Sequence, residues 1–188
     1  MPVDRERVRR AVAEILVAIG EDSSRPGLAN TPELVADAYA EMFAGLDEDP
    51  RAHLAESIPF EGNAETVIVS NIYLRSVCEH HLLPFTGRVH VAYIPGDRIV
   101  GIGKIPRVVH ALAARPQIQE RLTDDIATVF DEELSARGVL VVIESSHQCL
   151  SARGANENEA TTITIASRGT LSDPAARAET MAMFRVEP

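Results

Sequence analysis

The hydrophobic periodicity of the 188 residues predicts an α+β protein: an antiparallel sheet with two helices on one face, preceded by an N-terminal helical segment. Two observations carry this. The first sixty residues show helical periodicity alone. Beyond them, β-branched alternating stretches flank two helical repeats, in the order strands, two helices, strands. The expected division is 1–62 for the helical segment and 63–188 for the sheet-bearing domain.

Asp4 is a fitting N-cap for a first helix whose apolar face is Val8, Val12, Ile15, Leu16 and Ile19, with Gly20 as its stop. Thr31 and Pro32 then open a second helix through Leu34, Val35, Ala38, Tyr39, Met42 and Phe43, ending near Gly45. Residues 47–65 are polar, with scattered Pro and Gly, and read as a connection. Strands follow at 66–73 and 86–94, the second alternating Val89, Val91 and Tyr93 against Arg88, His90 and Ala92. Pro95-Gly96-Asp97 is a turn signal leading into 98–102 as a continuation of the hairpin. Pro106 opens one helix and Pro116 a longer one stopped by Gly138, after which 139–145 and 161–167 return to strand.

Composition narrows the function. A formal charge of −10 speaks against nucleic acid, which needs a continuous basic face. A small anionic ligand remains compatible where a few cations converge. Neither a leader-like start nor an apolar run of about 18 residues is present, so a cytoplasmic protein without a membrane partner is expected. The basic residues are seventeen Arg and one Lys, Lys104. Two cysteines make no disulfide framework, and in a reducing compartment they serve as core, metal ligands or nucleophiles.

Those cysteines sit in the two densest clusters of metal-capable side chains. Cys78-Glu79-His80-His81 lies after the first strand, and Cys78 and His81 have a spacing that lets a thiolate and an imidazole reach one ion. A buried cysteine near a surface histidine gives the same short pattern. His147-Gln148-Cys149 places the other cysteine beside a histidine at the end of a later strand. If the two strand ends are neighbours, Cys78, His81 and Cys149 close on one zinc and leave a fourth position open, as catalytic sites do. A Cys78–Cys149 disulfide and an unliganded pair are the competing arrangements. His80 and His147, next to these ligands, are expected to move protons or to orient ligands.

Two further groups suit a nucleotide. Gly103, Lys104 and Arg107 fall where a strand end runs into a helix start, a place for phosphate, and Arg153 could add a cation. Gln119 and Glu120 fall in the first turns of the long helix, where a carboxylate can accept two N–H groups of a guanine edge and a glutamine can serve its carbonyl; an ordinary solvated helix face fits them too.

Taken together, C-E-H-H at 78–81, Pro84-Phe85-x-Gly87, His90-Val91-x-Tyr93-Ile94-Pro95, the run from Arg115 through Thr123, and His147-x-Cys149 followed by Arg153-Gly154 resemble the GTP cyclohydrolase I family over about residues 66–170. The resemblance implies a tunnelling fold, in which subunits pair their sheets into a barrel, and a homodecamer of two pentamers with sites at subunit interfaces. It implies Zn2+ on Cys78, His81 and Cys149, whose water attacks C8 of GTP. It also implies proton transfer by His80 and His147, guanine anchored by Glu120 with Gln119, and triphosphate on Lys104, Arg107 and Arg153. The family product is 7,8-dihydroneopterin triphosphate, with release of formate.

One position departs from the pattern: the family has serine before the lysine, and this chain has Gly103. That hydroxyl can bond the ribose or a histidine. Its absence opens an alternative, a specialised enzyme that stops at a ring-opened pyrimidine nucleotide or takes a modified purine. Two other classes compete. A nitrile reductase of the same fold would use a cysteine nucleophile without zinc, and a metal-stabilised assembly protein would unfold on metal loss.

Overall fold

The Asp4 carboxylate accepts from the Arg7 N–H at 3.0 Å and starts α1 (Arg5–Ala18), as its short polar side chain predicts. The structure, a computed structural model, describes residues 2–62 and 64–184. The chain leaves α1 through Gly20 at φ +84°, a left-handed conformation that costs glycine nothing. α2 (Thr31–Met42) packs along α1; its N-cap is Asn30 rather than Thr31, with Pro32 in the first turn.

The segment expected as a polar connection is partly built into the body. Two 3-10 turns, Ala44–Asp47 and Pro50–His53, lie along it. The Gly45 N–H donates to Ala114 O, and a Cβ there would meet Ala111 O at 2.1 Å, so only glycine permits that approach. Leu54 is buried in the main core, and Arg51 pairs with Glu132 and Glu133. β1 (Ile58–Pro59) follows.

β2 (Val67–Cys78) and β3 (Pro84–Ile94) form an antiparallel hairpin. β2 runs five residues past the strand expected from β-branched residues alone. Ser76 is the reason: though polar and buried, it donates to Ala113 O at 2.7 Å, so the ladder continues without an orphaned group. Cys78 therefore ends a strand instead of standing in a loop. The turn after β3 does not extend the hairpin as expected. Gly96 presses against Ser135 O, which a Cβ would approach to 2.3 Å. The chain turns away there, and β4 (Arg98–Ile99) pairs with β1 instead.

α3 (Lys104–Ala113) starts two residues before Pro106, with Gly103 as N-cap. Pro116 does not open the second helix. β5 (Pro116–Gln117) pairs in parallel with Val77 and Cys78, and α4 (Gln119–Leu134) begins only after it. A short edge strand suits a residue with no N–H to donate. α4 ends at the left-handed Ser135, not at Gly138, which opens β6 (Gly138–His147). A helical turn α5 (Gln148–Ser151), then β7 (Thr162–Gly169) and α6 (Pro174–Met183) complete the chain.

The sheet order is β5-β2-β3-β6-β7, antiparallel apart from β5. Alternate residues Leu74, Phe85, Val89, Val91, Val139, Val141 and Ile143 face Ile105, Val109, Leu122, Ile126 and Phe130 of α3 and α4. This is the α+β arrangement that the periodicity predicts, with two helices on one face. A smaller cluster on the opposite face, Ala92, Leu140 and Val142, lies under Leu171 and Phe184 beside α6, an element the sequence reading left unassigned. Among the described residues no helix is long and apolar enough to cross a membrane.

Candidate active site

Three neighbouring strands bring the site together. Phe85 on β3 pairs with Ser76 on β2 and with His147 on β6, so the β2 and β6 ends meet at one edge of the helix-covered face. The loop after β2 closes on Cys78 itself: the Cys78 N–H donates to Leu83 O and the Leu82 N–H to Cys78 O, each at 2.9 Å. Leu82 takes φ +52° to make that turn. The Glu79 N–H donates to Gln117 O at 3.0 Å, which ties the loop to β5 and sets the start of α4 beside it.

Side-chain donor atoms of Cys78, His81 and Cys149 all lie within 4.8 Å of one another. Cys78 is buried, Cys149 half-buried and His81 exposed. Both cysteines are free thiols, which removes the disulfide arrangement. Burial first, and then the neighbouring Cys78 sulfur, push the Cys149 thiol above its ordinary range. A divalent cation bound beside it would reverse that balance and favour the Cys149 thiolate. Two sulfurs and an imidazole form a donor set that zinc accepts, with bonds of about 2.0–2.3 Å that small side-chain movements would close.

A cavity of about 250 Å³ adjoins the trio, and Cys78, His80, Gln119, Glu120, His147 and Cys149 lie on its wall. Glu120 is exposed there. Burial lowers the His147 imidazole from its usual range, with Glu120 pulling the other way. Arg121 pairs with the Glu79 carboxylate, which is not one of the three clustered donors. Arg153 donates to His81 Nε2 at 3.1 Å. A larger cleft of about 420 Å³ lies by Tyr73, Arg75 and His110; among the described residues it has no donor trio, so size alone does not mark the chemistry.

Gly103, Lys104 and Arg107 are not part of this wall. Lys104 Nζ pairs with Glu56 at 2.6 Å, and its ammonium, with Arg107 contributing less, holds the Glu56 carboxyl below the usual range. Nothing lies within 4 Å of a Cβ built on Gly103. A hydroxyl next to that position would therefore have no histidine of its own protomer in immediate reach.

The sequence motifs do not single out Ser145 and Thr164, which bond the Gln119 side chain, and they include Thr123 without a role for its bond to Thr164. For Ser145 the signal was available: it is two residues from His147 on one strand, hence on the same face. The Thr164 contacts arise from tertiary packing and leave no local trace, whereas Thr123 bonds Gln119 O one turn back within α4. Gln119 itself is 1% exposed, with its amide nitrogen and oxygen both bonded inside the protein.

An α+β fold that gathers two thiols and an imidazole next to histidines and a cavity defines the kind of centre on which metal-assisted hydrolysis runs. The family model for GTP cyclohydrolase I matches residues 8–185. The chain is 60% identical to GTP cyclohydrolase 1 of Leifsonia xyli subsp. xyli over 182 residues, 96% of this chain and 95% of that one. It is 50% identical to the enzyme of that name from Rhodopirellula baltica, covering 97% and 80% respectively, and 49% to that of Bacillus subtilis, covering 95% of each. The chain belongs to the GTP cyclohydrolase I family.

Proposed function

We propose that the protein is a GTP cyclohydrolase I that opens the guanine imidazole ring of GTP, releases formate and forms 7,8-dihydroneopterin triphosphate. The observation that supports this most is the convergence of Cys78, His81 and Cys149 beside the cavity that Cys78, Cys149, His147 and Glu120 line, in a chain whose relatives carry that name. Zn2+ is the cation proposed for the trio, where its Lewis acidity would make water a nucleophile near neutral pH.

The chain's own groups do the rest. The Glu120 carboxylate accepts from the N–H groups of the guanine edge, and its place in the first turn of α4 is firm because β5 anchors the preceding residues to β2. His80 and His147 exchange protons with the opening ring and the departing formate. Lys104, Arg107 and Arg153 take the triphosphate. Since the Lys104 pair stands off the cavity wall, it fits best in the site of a neighbouring subunit. That agrees with a homodecamer assembled through the outer edges of β2 and β7, where Tyr73, Ile163 and Ile165 are exposed. In this reading residues 1–62 form the helical segment, residues 63–188 the catalytic domain, and the protein is cytoplasmic.

Incubating the zinc-loaded protein with GTP, while following formate and the ultraviolet spectrum of the product, tests the proposal. Formate with a pterin chromophore is expected. Formate without it would replace the reading with the truncated reaction that Gly103 raises, and no consumption of GTP would end it.

A further inference from the structure

Gln119 stands at the wall of the cavity, yet its side chain is committed elsewhere. Its amide N–H groups are shared among Ile143 O at 3.1 Å, Thr162 O at 3.0 Å and Thr164 Oγ1 at 3.1 Å. Two of these partners are backbone carbonyls, which only accept, so donor-acceptor chemistry fixes which end of the amide is which. A closed circuit reinforces the choice. Thr123 Oγ1 donates to Gln119 O at 2.6 Å, which leaves Thr164 to donate to Thr123 at 2.6 Å and to accept from the Gln119 amide.

The Gln119 side-chain oxygen Oε1 is thereby turned to Ser145 Oγ and His147 Nε2, each at 2.7 Å. An amide oxygen cannot donate. Ser145 must give its proton to Gln119, and although it lies 3.2 Å from His147 Nε2 it can only accept from that nitrogen. Nε2 must therefore carry a proton in order to bond, and in the neutral imidazole the basic nitrogen is Nδ1. The Phe85 ring stacks on His147 at 4.6 Å and 10° and holds its plane. Gly87 permits β3 to lie close against β6 beside Ser145: a Cβ there would meet Glu144 O at 1.9 Å and Ser145 Cα at 2.6 Å.

We propose that Gln119, oriented by Thr164 and by Ser145, is a positioning residue that fixes His147 as the Nε2–H tautomer with Nδ1 as its proton-accepting atom, and that it does not contact guanine. The inference rests on the proposed function for its catalytic meaning, but the tautomer can be read without turnover. Solid-state 15N spectra of histidine-labelled, zinc-loaded protein, with His147→Ala identifying the His147 signals, are expected to show neutral His147 protonated at Nε2. Protonation at Nδ1 would overturn the proposal, whether or not GTP is consumed.

Kinetics supply the second arm. In Gln119→Leu, kcat for GTP is expected to fall by about tenfold to a hundredfold, with KM changed less than about threefold and the metal content unaltered. A rise in KM at constant kcat would return Gln119 to guanine recognition. If that variant fails to fold, the wild-type spectrum alone still decides. Ser145→Ala keeps the Gln119 bond and is expected to lower kcat by less than Gln119→Leu does; an equal or larger loss would contradict the ordering of roles.

Discussion

The two regions proposed to hold the substrate are built in opposite ways. At the β2 and β6 strand ends, one protomer supplies the thiols, the imidazoles and the positioning network, and the polar atoms of Gln119 are bonded to fixed neighbours. At the start of α3, Lys104 is paired with the exposed Glu56, and a Cβ built on Gly103 meets nothing within 4 Å. Under the proposed function, the difference would place ring chemistry, which needs sub-ångström placement, inside one fold, and leave charge neutralisation to a looser corner that a second subunit would complete.

The largest effect should come from breaking the rigid end. Cys149→Ala, or chelation of the metal, is expected to lower GTP turnover at least ~10³-fold while circular dichroism stays close to that of the loaded protein. Global unfolding on chelation would instead favour a metal-stabilised assembly protein. Next, His147→Ala should retain stoichiometric metal, read by elemental analysis, and lose about 10²-fold or more in kcat; wild-type rates would remove it from the chemistry. The loose end should respond differently. Lys104→Met is expected to raise KM for GTP about tenfold or more with a smaller change in kcat, and mixed oligomers of Lys104→Met with Cys149→Ala chains should regain activity if the corner serves a neighbour. The smallest effect belongs to Gly103→Ser. Gly103 has φ −67° and open space for a Cβ, so thermal stability should shift by no more than ~0.5 kcal/mol, measured by calorimetry.

The same contrast explains what could be read before the fold was known. The α+β order, the cap at Asp4 and the core face of β3 were legible, the first and last because periodicity reports which face is buried. The donor trio was legible because both cysteines stood beside histidines at strand ends. The length of β2 was not, since Ser76 breaks the apolar pattern and is satisfied only by Ala113, 37 residues away. Pro116 misled for a related reason: a proline looks alike at a helix start and in an edge strand, and the pairing with β2 decided between them. The commitment of Gln119 was equally hidden, because Thr164 and Ile143 reach it only after the sheet has formed.

X-ray absorption at the zinc edge on the purified, active protein tests the central claim most directly. Two sulfur scatterers at about 2.3 Å and one imidazole nitrogen at about 2.0–2.1 Å, with a lighter atom completing the shell, are the expected result. A shell without sulfur, or active protein without stoichiometric metal, would contradict the account.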